Sequence, residues 1–161
     1  HHRANHRAHH RAHRRKPHSL WATGPAATRA AVRRAVVAAA HRHHVGPNLA
    51  LAVAWQESGW QQRRISTAHA IGVMQVLPST GRWVSSVLGR RLDLYRLHDN
   101  VTAGVYLLHL LHSATPRHAL ADYYQGSGSV HAHGRYPSTR HYIATVIALR
   151  DRLRHGWSPE K

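Results

Sequence analysis

Apolar residues fall into about six stretches at helical spacing, separated by short polar or glycine-bearing links. From Thr28 to His44, Val32, Val36, Val37 and Ala40 share one stripe while Arg33, Arg34 and His41 lie opposite, the pattern of an amphipathic helix. Gly46 stops it. Pro47 and Asn48 mark a new start, with Asn48 as N-cap, for the very apolar "LALAVAWQES", which ends near Gly59. Pro78 opens "PSTGRWVSSVLG", and Asp99 or Asn100 opens "VTAGVYLLHLLHSA". Thr115 and Pro116 open "RHALADYYQG", and Ser138 opens "TRHYIATVIALRDRL". No segment alternates at period two, so the pattern predicts an all-helical fold with loops at "HAIGVMQV" and "QGSGSVHAHGRYP".

The chain has 161 residues, enough for one domain with a real core. Residues 1–18, "HHRANHRAHHRAHRRKPH", reuse the unit HRA and hold almost no apolar residue larger than alanine. Burial there is too small to offset the entropy lost on ordering. The segment reads as a disordered cationic tail that binds a polyanion or tethers the chain to a wall. Residues 19–27 read as a linker, 28–156 as the folded domain and 157–161 as a C-terminal tail.

Charge widens the picture. Against 6 Asp and Glu stand 23 Lys and Arg, a formal +17 before any of the 19 histidines protonates. Such a surface seeks nucleic acid, anionic lipid headgroups or the anionic polymers of a bacterial wall. A specific nucleic-acid reader would interleave basic residues with aromatics on a recognition element outside the tail, and "RLHDN" and "RRKPH" are too short for that. Cysteine is absent, which excludes disulfides and thiolate metal sites. No apolar run reaches the roughly 18 residues of a membrane span. The chain starts at His1, so an export signal is expected to lie outside it.

Glu57 is out of place. Glu57 and Glu160 are the only glutamates, and Glu57 lies in the last turn of an apolar helix, between Trp55 and Trp60. The negative end of the helix dipole and poor hydration both favour its protonated form. A carboxylic acid neutral near pH 7 can protonate a leaving group. The plain alternative is a solvated helix-end residue paired with Arg63 or Arg64.

Four stretches decide between them. "ESGW" from Glu57, "STAHAIGVMQVLPST" from Ser66, "DNVTAGVYLLHLL" from Asp99, and "ALADYYQGSGSV" with "YPSTRHYIATV" follow one another in order. From about Val45 to Leu153 the chain thereby resembles the catalytic domain of soluble lytic transglycosylases, of the lysozyme-like superfamily that includes goose-type lysozyme. The resemblance implies an all-α, lysozyme-like single domain with a deep glycan-binding cleft. It implies Glu57 as the catalytic acid and Ser66 and Gln75 as polar groups lining the cleft. Met74 would pack beside the bound sugars, Tyr142 would approach Glu57, and Tyr123 would form the cleft floor. Ser58, Tyr124 and Gln125 complete the expected substrate contacts. His69 stands where glycine is usual, Tyr124 and Gln125 replace a common Asn-Ala, and Ser138 replaces a common glutamate.

Glycosidases ordinarily use two carboxylates. Asp99 reads as a helix start and Asp151 as an ion-pair partner; Asp93 and Asp122 stay open as a second carboxylate. A lone acid suffices where the substrate brings its own hydroxyl, whose effective molarity reaches about 10⁵ M or more. The implied reaction cleaves peptidoglycan between N-acetylmuramic acid and N-acetylglucosamine, leaving a 1,6-anhydro end. Two alternatives keep the fold: a lysozyme-type hydrolase, and a catalytically silent wall-binding module. His41, His43 and His44, the pair His109 and His112, and "HAH" at 131–133 offer imidazoles, but no HExxH or cysteine site accompanies them. They read as solvated faces, so neither metal nor cofactor is expected. Peptidoglycan strands and anionic wall polymers are the expected partners, for a monomer secreted to, or held at, a bacterial envelope.

Overall fold

A computed structural model of the chain describes residues 20–112 and 115–160. The cationic segment 1–18 lies outside the described residues. Among them stand seven helices: α1 (Arg29–Arg42), α2 (Pro47–Ser58), α3 (Pro78–Leu88), α4 (Leu97–Leu110), α5 (Pro116–Gln125), α6 (Ser127–His133) and α7 (Pro137–Arg154). The only pairing of extended backbone among these residues is two isolated antiparallel bridges, Ile65 with Ile71 and Ile71 with Val76. The fold is all-helical.

The helix at the centre is α2. Ala50, Leu51, Ala52, Val53 and Ala54 are all buried in succession, so every face of its middle is covered. A helix apolar all round must be enclosed by others. Here α1 and α7 pack against it, α4 packs on α1, and α5 joins α7. The stripe Val32, Val36 and Ala40 of α1 is buried with Ala35 and Ala39. The start of α1 is capped by Thr28, whose hydroxyl accepts from the Ala31 amide at 3.1 Å.

Several boundaries differ from the sequence pattern. Proline takes the first helical position in both α2 and α7, which moves the cap to Gly46 and Tyr136 in place of Asn48 and Ser138. Helix α4 begins at Leu97, ahead of Asp99 and Asn100. Asp99 pairs instead with Arg90 at 3.0 Å and accepts from the Asp93 amide at 2.9 Å. The stretch expected as one loop after Gln125 contains α6, a helix with no buried residue.

Both ends of the described chain lie on the helical body. Trp21 meets Tyr95 edge to face at 5.0 Å, and the Arg63 guanidinium donates to the carbonyls of Ala22 and Gly24. Trp157 packs against Trp55 at 6.0 Å and under the Arg152 guanidinium at 4.3 Å. Arg33 reaches Glu160 at 3.5 Å.

Candidate active site

Glu57 occupies the last turn of α2, which ends where Gly59 takes a left-handed conformation. The Tyr142 hydroxyl, from α7, donates to Glu57 Oε1 at 2.9 Å. Burial raises the Glu57 carboxyl from its ordinary range to about 7, against the opposing pull of the Tyr142 bond. No neighbouring carboxylate contributes to that shift. The dry surroundings are aromatic, and the side chains that respond to Glu57 are tyrosines rather than the flanking tryptophans. Burial first, and the charge of Glu57 second, raise the Tyr123 and Tyr142 phenols well above the ordinary tyrosine range, so both remain neutral donors. Trp55 is engaged with Trp60 and Trp157, and the Trp60 indole donates to the Leu51 carbonyl at 3.1 Å.

The tyrosines form a connected group. Tyr124 stacks on Tyr142 with centroids 4.6 Å apart and rings 18° from parallel, and Tyr124 stays 46% exposed. Tyr123 donates to the Met74 carbonyl at 2.6 Å, which ties α5 to the loop between α2 and α3. An open aromatic face thus lies on Tyr142, the residue that holds Glu57, and such a face suits a sugar ring.

The loop itself is pinned from below by two polar side chains to which the sequence assigned no part in the site. Asn100 accepts from the Met74 amide at 2.9 Å and donates to the carbonyls of Ile71 at 2.8 Å and Leu94 at 2.9 Å. Gln62 donates to Leu94 at 3.0 Å and accepts from the Val73 amide at 3.1 Å. Both amides are buried with their capacity used on backbone, as buried polar groups require. Gly72, at φ 76°, leaves room for these two amides, since a Cβ there would overlap Asn100 Nδ2 and Gln62 Oε1. Gly104 likewise leaves room for Met74, whose Cβ a side chain at 104 would meet.

Three residues expected to meet the sugars have roles inside the protein. Ser58 is 0% exposed, and its hydroxyl donates to the carbonyls of Val73 at 2.7 Å and Ala54 at 3.2 Å while accepting from the Gln61 amide. Met74 is also 0% exposed and belongs to the core under Gly104. Gln125 spends both ends of its amide internally: Nε2 on Ser129 Oγ and the Gly134 carbonyl, Oε1 on the Tyr136 amide and Thr139 Oγ1. These three hold the walls of the site. Internal hydrogen bonds account for the positions of Ser58 and Gln125, and core packing for that of Met74.

Ser66 and Gln75 lie on the pinned loop, each half-buried. Ser66 Oγ accepts from the Ala70 amide at 3.0 Å. Both bonds of the Gln75 amide leave from Nε2, to Gly72 at 3.0 Å and Arg64 at 3.2 Å. Backbone strain concentrates here, because Trp60, His69 and Gln75 all have left-handed φ, of 60°, 66° and 50°. His69, standing where glycine is usual in the resembled pattern, therefore keeps a glycine-like conformation. Ser138 is exposed in the first turn of α7.

Three of the remaining carboxylates, Asp93, Asp99 and Asp151, are engaged elsewhere. Asp93 accepts from the Tyr95 amide at 3.0 Å and pairs with Arg96, and Asp151 pairs with Arg150 and Arg154. Asp122 is half-buried on α5. Among the described residues no group of three His, Asp or Glu side chains is disposed to hold a metal ion. No helix among them is long and apolar enough to cross a membrane. Two cavities, of about 1110 Å³ beside α3 and about 290 Å³ at the start of α2, are lined by neither Glu57 nor the three tyrosines.

Comparison with solved structures agrees with the helical arrangement. The 70-kDa soluble lytic transglycosylase of Escherichia coli is similar with a TM-score of 0.70 and 21% identity, over 76% of this chain and 24% of that one. The same enzyme in complex with bulgecin A gives 0.69 and 20%, over 78% and 25%. An inactive glutamate-to-glutamine mutant of the lytic transglycosylase Slt of Pseudomonas aeruginosa gives 0.69 and 22%, over 79% and 25%. The chain thus spans about a quarter of the length of the structures it matches. Its fold is that of the lysozyme-like lytic transglycosylases. The transglycosylase SLT domain profile matches residues 34–145, a span that runs through α2, the pinned loop and Tyr142, and the chain belongs to that family.

Proposed function

We propose that the chain is a peptidoglycan lytic transglycosylase in which Glu57 acts first as acid and then as base. The glycan lies in a cleft over Glu57 and Tyr124, with Ser66 and Gln75 toward the sugars. Neutral Glu57 donates its proton to the oxygen joining N-acetylmuramic acid to N-acetylglucosamine, and the bond from that oxygen to muramyl carbon one breaks. The carboxylate left behind takes the proton of the muramyl 6-hydroxyl, whose oxygen bonds to the same carbon. Glu57 regains its proton, and no water is consumed.

The observation that carries this reading is a buried carboxyl with a pKa of about 7, bonded to Tyr142 and uninfluenced by any other carboxylate. A second carboxylate close beside Glu57, as in retaining hydrolases, would raise its pKa further by like-charge repulsion. Family membership and the glutamate-to-glutamine inactivation of the Pseudomonas relative support the same role. Tyr142 steadies the transient carboxylate, and Tyr123 fixes the loop.

Residues 28–156 form the catalytic unit, and the tail 1–18 holds it to anionic wall polymers at a bacterial envelope. The +17 charge favours that location and makes attachment salt-sensitive. The test is digestion of purified sacculi by the chain and by its Glu57→Gln variant, with released muropeptides weighed by mass spectrometry. Anhydro products that vanish with Glu57→Gln support the proposal. Release that survives the substitution contradicts it.

A further inference from the structure

At the opposite end of α2 from Glu57, roughly 15 Å away along the helix axis at the usual rise per residue, lies the cavity of about 290 Å³. Its walls bring together Arg150 and Arg154 from the last turns of α7, His109 from the last turn of α4, and His44 and His112 from adjoining turns. No acidic side chain lines it. Asp151, outside the lining, is shared between Arg150 at 3.4 Å and Arg154 at 3.9 Å. One carboxylate cannot saturate two guanidinium groups, each with five donors.

The floor is apolar, made by Val45, Leu49 and Leu108, which strengthens any charge interaction above it. The first turn of α2 also faces the cavity through Pro47, Asn48 and Leu49, and no side chain caps that end. Stacking on Tyr106, 5.8 Å away and 20° from parallel, fixes the His109 ring, and His44 lies 6.5 Å from it. The neighbouring His43 registers the local field: burial, then Arg42, His109 and His44, lower its pKa.

We propose that this cavity is a phosphate-binding site, taking either the phosphodiester of an anionic polymer or free phosphate. Its volume has room for a tetrahedral phosphate group. Its donors converge from three helices, and guanidinium forks match phosphate oxygens in pairs. The site goes beyond the reaction assigned to Glu57 and stands whether or not that reaction occurs.

The whole chain is titrated with inorganic phosphate, with a short poly(glycerol phosphate) and with acetate, followed by nitrogen–proton NMR at the Asn48 and Leu49 amides. Site-resolved signals separate the cavity from the cationic tail. Phosphate should shift these amides saturably, and Arg150→Gln with Arg154→Gln should weaken its binding by about tenfold or more. Arg82→Gln with Arg91→Gln, an equal change of charge elsewhere, should leave it unaltered. Tighter binding of the polymer than of phosphate identifies the phosphodiester source; equal or weaker binding identifies free phosphate. Equal loss in both double variants, or acetate binding as tightly as phosphate, overturns the proposal. Melting curves check folding, and Arg154→Gln with His109→Gln replaces the first pair if that pair does not fold.

Discussion

The hydroxyl of Tyr142 and the carboxylate of Glu57 meet at 2.9 Å across 85 positions of sequence, joining the second turn of α7 to the last turn of α2. The two helices pack along their length, so the bond is set by the core rather than by a mobile loop. It opposes burial. The carboxyl is dry enough to hold a proton near neutrality and is still given a donor for its ionised form.

Tyr142→Phe removes the one influence that lowers the Glu57 pKa. A hydrogen bond to a charged group contributes about 1.5–3 kcal/mol, equivalent to one pKa unit or more. The alkaline limb of kcat/KM should therefore move to higher pH by about one unit or more, with a lower maximum rate. An unmoved limb contradicts the coupling.

Glu57 also costs stability. Its carboxyl titrates near 4.5 when unfolded and near 7 when folded. Below about pH 4.5 both states hold the proton and there is no penalty. As pH rises toward 7 the unfolded chain releases it first, so stability falls, and above 7 the loss is constant. Glu57→Gln should leave stability unchanged at about pH 4 and raise it by on the order of 3 kcal/mol at about pH 8. Denaturation at the two pH values checks this.

Asn100→Ala would strip two bonds from the pinned loop and one from Leu94, leaving the Met74 amide without its partner while the Ile71 carbonyl keeps only the Val76 amide. Such a loss costs on the order of 3 kcal/mol or more. Urea unfolding should register it, together with reduced activity through loosening of the loop. A change below about 1 kcal/mol would mean that the loop is held otherwise.

His69→Gly should stabilise the chain. Relief of the left-handed φ is worth about 1–2 kcal/mol, and the extra freedom of an unfolded glycine returns about 0.5–1 kcal/mol. A small net gain in melting temperature follows, whereas His69→Ala, which keeps the strain, should show none.

The sequence made α2 and its glutamate legible because a fully apolar helix ending in a lone carboxylate is an unusual pattern. Tyr142 and the loop were legible through the ordered motifs. Asn100 was not, because an asparagine ahead of an apolar run reads as a helix start, and only the fold turns it into a buried clamp. The internal roles of Ser58, Met74 and Gln125 were hidden in the same way, since a motif residue that builds a wall looks in sequence like one that touches the ligand. Helix α6 buries nothing, so no periodicity announced it.

The most direct test is digestion of sacculi in water carrying heavy oxygen, followed by mass spectrometry of the new muramyl ends. A Glu57-dependent transglycosylase gives 1,6-anhydro ends with no heavy oxygen, because the muramyl hydroxyl supplies the bond. Reducing ends one water heavier, carrying the label, would show that water attacks and that Glu57 does not work alone.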